Sequence, residues 1–203
     1  MIKAVIFDVD GVLLDSFEAN FKFFQNLMYH TGHPLPTRED FSGLFHMTMW
    51  DAIKHLTDLS DEQDIQKIWE VAKSREVAYP IELLAIPDGA EPVIRTLQKT
   101  YTLGIVTSRI RESVFEAPAL AKLKDCFKVV VSYTDTQNHK PHPEPLILAT
   151  QKLGVLPEEC VYIGDAATDV QAAHTAGMKI IGYSKLHLPA QMQLPQIFLK
   201  FLN

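Results

Sequence analysis

Five short apolar runs, each rich in β-branched residues, alternate with longer stretches of helical period, and four of the five runs stop at a polar cluster. The expected strands are Lys3 to Asp8, Leu103 to Thr107, Lys128 to Ser132, Val161 to Gly164 and Lys179 to Tyr183. Between them the periodicity predicts helices over Ala90 to Lys99, where Val93, Ile94 and Leu97 share a face, over Glu144 to Leu153 and over Ala167 to Ala176, with a weaker pattern over Glu112 to Leu123. Nearly continuous apolar strands are buried on both faces, and parallel neighbours need a crossover that a helix supplies. The expected fold is therefore α/β, a doubly wound parallel sheet. Sheets of this kind bind ligands beyond the carboxyl ends of their strands, so the polar clusters there are the first place to look for chemistry.

One segment breaks the alternation. From about Glu18 to Leu84 there is no convincing strand, only helical patterns such as "FEANFKFFQNLMYHTG" and "DEQDIQKIWEVAKSREVAY", separated by "HPLPTRED" and "FSGLFHMTMWDAIKHL". This reads as a small α-helical domain, residues 16–84, inserted after the first strand of a core made of residues 1–15 and 85–203, with "PIELLAIPDG" as the return linker. The last residues, "PAQMQLPQIFLKFLN", read as an apolar closing segment.

Composition bounds the setting. At 203 residues with a formal net charge of −6 and no Lys/Arg cluster, the chain offers no phosphate-tracking surface for nucleic acid. Cys126 and Cys160 lie in apolar contexts without CxxC spacing, which fits buried free thiols in a reducing, cytoplasmic compartment. The start "MIKAVIFD" reaches charge too soon for a signal peptide, and no apolar run approaches a membrane span. A small molecule is the expected partner, with the chain a monomer or homodimer.

The four clusters are Asp8 and Asp10 after the first strand, Thr107 and Ser108 after the second, Lys140 in "NHKPHPEP" after the third, and Asp165 with Asp169 in "IGDAATD" after the fourth. Each has an ordinary reading: Asp10-Gly11 as a turn, Thr107, Ser108 or Asp165 as helix caps, Lys140 as a solvated loop residue. Together they suit one task. Close carboxylates need a hard cation, and Mg²⁺ takes carboxylate, water and phosphate oxygens. The hydroxyls and the lysine supply donors and charge for an anion, so the set describes a phosphate site.

In their order and spacing, "DVDGV", "VTS", "KPHPEP" and "GDAATD" resemble the four motifs of the haloacid dehalogenase-like hydrolases, in the branch of small phosphatases and β-phosphoglucomutases with a helical cap after the first strand. The resemblance spans the whole chain, with residues 16–84 in the cap's place. It implies that Asp8 attacks phosphorus to form an aspartyl-phosphate and that Asp10 is general acid and then base. It also implies that Mg²⁺ is held by Asp8, Asp165 and the backbone carbonyl of Asp10. Thr107, Ser108, Lys140 and Gly11 would bind the phosphoryl group, Gly11 partly through backbone N–H and partly by letting the chain approach closely. Asp169 would orient Lys140 or a metal-bound water, with direct ligation left open.

Dehalogenases of this family lack the second acid of the first motif, so Asp10 favours phosphoryl transfer. A sugar-phosphate mutase would carry a hinge histidine near Asn20 and basic residues for a second phosphate; neither is found there, and hydrolysis of a small phosphomonoester leads. The alternatives are the mutase and a non-catalytic binding protein on the same fold. Pyrophosphate or nucleotide hydrolysis would ask for positive charge that the loop "FSGLFHMTMW" does not carry. Phe45, His46 and Met49, beside Met47 and Trp50, are candidates for a partly apolar substrate surface; His46 reads more readily as an ordinary helix or loop residue, and His30, His33, His139 and His142 lack zinc-site spacing. Asp15 and Ser16 open the first inserted helix, with Ser16 as its N-cap.

Overall fold

The computed structural model describes residues 1–45 and 47–183, so His46 and the closing segment lie outside the described residues. The chain divides into two compact units, Met1–Asp15 with the chain from Ala85 onward, and Ser16–Leu84.

The first unit is built on a five-stranded, all-parallel sheet in the order β3-β2-β1-β4-β5. Its strands are β1 (Ala4–Phe7), β2 (Thr102–Val106), β3 (Phe127–Val131), β4 (Cys160–Gly164) and β5 (Lys179–Gly182). Each lies within a residue or so of the run that predicts it, because apolar runs of four or five residues bounded by polar ones leave little freedom in placement. The order grows outward from β1 in both directions, so β1 is central and all four of its residues are buried. Register does the alignment: Phe7 stands level with Ile105 on β2 and Ile163 on β4, which brings the residues after these three strands to one edge.

Helices α5 (Ala90–Leu97), α7 (Glu144–Leu153) and α8 (Ala167–Ala176) follow their predicted spans closely. Leu146, Ala149 and Leu153 from α7 and Ala172, Ala173 and Ala176 from α8 form one core cluster with Ala4, Ile6, Val129, Val131 and Tyr162 of the sheet. Val5 and Phe7 alternate to the opposite face, where Phe7 meets Phe127 edge-on at 6.0 Å. The stretch from Glu112 to Leu123 is a correction to the sequence reading: it breaks into a 3₁₀ turn at Arg111–Ser113 and the short helix α6 (Pro118–Ala121). Pro118 has no N–H and its ring clashes with the preceding turn, so it starts a helix but cannot sit inside one.

Among the described residues, the second unit is built from α1 (Phe17–His30), α2 (Arg38–Ser42), α3 (Met49–Thr57) and α4 (Glu62–Ser74), with a 3₁₀ turn at Ile81–Leu83. Three helix starts carry side-chain caps: Thr37 accepts from Asp40 N–H in a capping box, Thr48 from Asp51 N–H, and Asp61 from Gln63 N–H. Ser16 stands at the N-cap position of α1 but its side chain caps no helix N–H, unlike the sequence reading. Phe23, Phe24, Leu27 and Met28 recur at helical spacing on α1 and pack with Phe41, Ile53, Ile65 and Ile68 into the unit's own core. Among the described residues, no helix is long and apolar enough to cross a membrane.

Candidate active site

Asp8 leaves the central strand with its N–H donating to the Ile163 carbonyl at 2.8 Å, which ties it to the end of β4. The next residues turn tightly: the N–H groups of Leu13 and Leu14 both donate to the Val9 carbonyl at 2.8 Å, and Gly11 N–H donates to the Leu14 carbonyl at 2.8 Å. Gly11 adopts φ +76°, and a Cβ there would lie 1.8 Å from Asp165 Oδ2. The sequence reading lends Gly11 N–H to a phosphate; the fold gives that N–H to Leu14, and what Gly11 contributes is room for Asp165.

Lys140 enters from the loop after β3, next to a cis peptide bond to Pro141. Its Nζ donates to Asp169 Oδ1 at 2.6 Å and to Tyr162 Oη at 3.0 Å, and lies 3.1 Å from Asp8 Oδ2. Two ammonium protons are thus donated to Asp169 and Tyr162 while the charge also faces Asp8, and the side chain is only 6% exposed. A lysine that reads as solvated when taken alone is buried between two carboxylates.

Asp169 explains how it stays there. Oδ1 accepts from Lys140 and lies 3.1 Å from Tyr162 Oη, while Oδ2 accepts from the N–H groups of Asp165 and Ala166, each at 3.1 Å. As the third residue of α8 it reaches back to the start of its own helix, a capping contact that also braces the Asp165 loop. With two contacts at each oxygen, Asp169 has its acceptor capacity committed, which favours orienting Lys140 over gripping a cation.

On the neighbouring strand end, Thr107 is buried, donates its N–H to the Val131 carbonyl at 3.0 Å and accepts the N–H of Arg109 at Oγ1 at 3.1 Å. Ser108 beside it is exposed. A small cavity lined by Thr107, Ser108, Thr136, His139 and Lys140 opens there, and the buried Thr136 Oγ1 has no hydrogen-bond partner among the described residues.

Two residues of the site escape sequence reasoning. Tyr162 faces inward from β4, its hydroxyl next to Lys140, Asp169 and the Val106 carbonyl. Arg109 sits at the end of "VTSR" and holds both carboxylate oxygens of Asp10, Nε to Oδ2 at 2.8 Å and Nη2 to Oδ1 at 2.7 Å. A basic residue directly after a polar strand end was the available signal for Arg109. Nothing local marks Tyr162, whose role appears only once β4 lies beside β1.

The electrostatics follow from crowding. Burial, aided by the charges of Asp169 and Asp10 and opposed by Lys140, pushes the Asp8 carboxyl up to about 7. Burial and the neighbouring Asp8 and Asp169 push Asp165 up to about 8. Burial works against the Lys140 ammonium, yet Asp8, Tyr162 and Asp169 outweigh it and hold the lysine well above its ordinary value. Oxygen atoms of Asp8, Asp165 and Asp169 come within 4.8 Å of one another. The raised carboxyls of Asp8 and Asp165, all-oxygen donors side by side, suit a hard divalent cation, which would let both ionise at neutral pH.

Residues 5–183 match the family model of the haloacid dehalogenase-like hydrolases. The chain belongs to that family. It is 33% identical over 183 residues to the pyrophosphatase PpaX of Bacillus pumilus, covering 89% of this chain and 82% of that one. A haloacid dehalogenase-superfamily hydrolase of subfamily IA from Geobacter sulfurreducens aligns with a TM-score of 0.73 at 29% identity, over 100% of this chain and 97% of the other. A proposed phosphoglycolate phosphatase from Lactobacillus plantarum aligns with a TM-score of 0.78 at 25% identity, over 89% and 86% of the two chains. This hydrolase thus carries the family's fold, with Asp8, Thr107 and Asp165 directly after β1, β2 and β4 and Lys140 in the loop that follows β3.

Of the candidate surface on the helical unit, Phe45 packs against Phe17 and Phe41, with ring centroids 5.3 and 6.3 Å away, as a flank of that unit's own core. Met49 opens α3 and is exposed.

Proposed function

We propose that the protein is a Mg²⁺-dependent phosphatase that hydrolyses a small phosphomonoester through an aspartyl-phosphate on Asp8. The observation that carries this reading is the meeting of Asp8, Lys140, Asp165 and Asp169 at one edge of the sheet, with Lys140 ion-paired to Asp8 on one side and Asp169 on the other.

Asp8 Oδ attacks phosphorus while the ester oxygen departs with a proton from Asp10. Water then attacks the aspartyl-phosphate as Asp10 takes its proton back, and phosphate leaves. General acid–base help of this kind contributes about 10²–10⁴-fold. The nucleophile must be ionised against its raised proton affinity, and Lys140 at 3.1 Å favours that form. The same ammonium, with the Thr107 hydroxyl and Ser108, faces the phosphoryl oxygens, where fixed charge in a dry site offsets the repulsion between two anions. Asp8, Asp165 and the backbone carbonyl of Asp10 would hold Mg²⁺, which would neutralise phosphoryl charge and favour the ionised form of both carboxylates. Asp169 and Tyr162 hold Lys140 in line. To the helical unit, residues 16–84, we assign the cap's role in selecting the substrate.

A second reading, inorganic pyrophosphate as substrate, is favoured by the relatives named pyrophosphatase. Both readings share the chemistry at Asp8 and differ in the leaving group.

The test is phosphate release from phosphomonoesters, phosphoglycolate, pyrophosphate and β-glucose-1-phosphate, with Mg²⁺ or with chelator, beside Asp8→Asn. Release that needs Mg²⁺ and falls by at least about 10³-fold in the variant is expected, since removing the nucleophile leaves only binding and electrostatics. Release that survives in Asp8→Asn would overturn the assignment. Conversion of β-glucose-1-phosphate to glucose-6-phosphate without release would favour a mutase.

A further inference from the structure

Arg109 and Asp10 form a pair in which one partner is anchored and the other is presented. The arginine backbone is tied at both ends, its N–H to Thr107 Oγ1 at 3.1 Å and its carbonyl to Tyr133 N–H at 2.8 Å. Its Nη1 donates to the Ser113 carbonyl at 3.3 Å, leaving Nε and Nη2 to grip Asp10 at 2.8 and 2.7 Å. The arginine side chain is 8% exposed and the Asp10 side chain 23%. A planar fork fixes the place and the plane of a carboxylate together, which a lysine ammonium at the same spot does not.

We infer that Arg109 is a positioning residue for Asp10, aiming the carboxylate that gives a proton to the leaving oxygen and takes one from water. The inference rests on the phosphoryl-transfer reading above and adds to it a residue that holds neither the phosphoryl group nor the cation. It has a chemical signature. As the Asp8–phosphorus bond forms and the ester P–O bond breaks, an alkoxide needs its proton at once, whereas p-nitrophenolate is stable enough to leave without one. A misdirected Asp10 therefore costs more with a poor leaving group than with a good one.

The experiment is a double-mutant cycle of Asp10→Asn and Arg109→Gln, with Arg109→Lys alongside, assayed with an alkyl phosphate and with p-nitrophenyl phosphate in saturating Mg²⁺. Arg109→Gln is expected to lower kcat on the alkyl phosphate by about 10²-fold and on p-nitrophenyl phosphate by less than about tenfold. KM should move by less than about threefold, because the lost interaction is made in the transition state. In the Asp10→Asn background the same substitution should remove less than about threefold more, since two residues acting as a unit are not additive. Arg109→Lys should fall between wild type and Arg109→Gln with the same leaving-group dependence, and it carries the test if the glutamine variant does not fold. Equal losses for both leaving groups, or additive losses in the cycle, would overturn the inference and make Arg109 a residue of the fold or of substrate binding. Activity that persists in Asp8→Asn would instead defeat the phosphoryl-transfer reading; sensitivity to Asp8→Asn with an additive cycle defeats only the role of Arg109.

Discussion

Gly11 shows how much one residue decides at this site. Its φ of +76° is strained for any L side chain, and a methyl group would sit 1.8 Å from Asp165 Oδ2. Gly11→Ala should therefore displace Asp165, and with it a carboxylate proposed to hold the cation. The expected outcome is a rise of about tenfold or more in the Mg²⁺ concentration for half-maximal activity, in line with the effect of disturbing residues that orient metal ligands. Backbone strain adds a stability cost of roughly 1–2 kcal/mol. Titrating activity with Mg²⁺ and unfolding both proteins in urea separates the two effects; an unchanged Mg²⁺ requirement would mean that Asp165 does not serve the cation. Gly164 plays a matching part, since a Cβ there would lie 2.4 Å from the Cβ of Asp169.

At the scale of elements, the strand and helix spans were largely legible, and the reasons are local. Runs such as "AVIF" and "CVYIG" have the length, branching and polar borders of buried strands, and "EPLILATQKL" carries proline in its first turn and keeps helical spacing. Where the reading failed, at Glu112 to Leu123, a proline within an otherwise apolar pattern cut the helix to four residues. The helical unit rests on its own core, so a prediction belongs to it. Phe41 is 1% exposed and its ring lies within 5.3–6.3 Å of the rings of Phe17, Phe21, Phe24 and Phe45. Phe41→Ala should destabilise that unit by about 3–5 kcal/mol, because it removes a large buried surface and leaves a cavity that an aromatic cluster fills poorly. Urea unfolding followed by the near-ultraviolet signal of its tryptophans, Trp50 and Trp69, would check this. A loss below about 1 kcal/mol would mean that the cluster closes around the gap.

For the whole molecule, the site ties stability to pH and, with the proposed cation, to its concentration. Asp8 and Asp165 have folded values of about 7 and about 8, above the ordinary carboxylate value of 3.8 that applies to the unfolded chain. The folded state therefore binds more protons than the unfolded one between about pH 4 and pH 8, so the contribution of these groups to stability is full below that window and is lost as pH rises through their folded values. Mg²⁺ held as proposed would take the ionised form and compete with those protons. Its stabilisation should be small at about pH 5.5 and should grow toward about pH 8.5, reaching about 2.7 kcal/mol at a hundredfold excess over Kd. For a chain of this size each kcal/mol is worth about 2–4 °C in Tm. Melting curves with Mg²⁺ and with chelator across this range test it, and a Mg²⁺ effect that does not grow with pH would sever the link to the two carboxylates.

The amino-acid sequence by itself determined the alternation of strand and helix, the place of the helical segment, and which polar residues stand at strand ends, because these depend on spacing and side-chain type within a few positions. Only the tertiary structure decided what those residues do to one another. That Lys140 is buried between Asp8 and Asp169, that Tyr162 joins them, that Gly11 makes way for Asp165 and that Arg109 grips Asp10 across 99 positions of chain all follow from strand order and register. No local pattern encodes these contacts. They arise because burying β1 between β2 and β4 brings strand ends remote in sequence to one edge, where charges that are weak in water become strong in a site shielded from it.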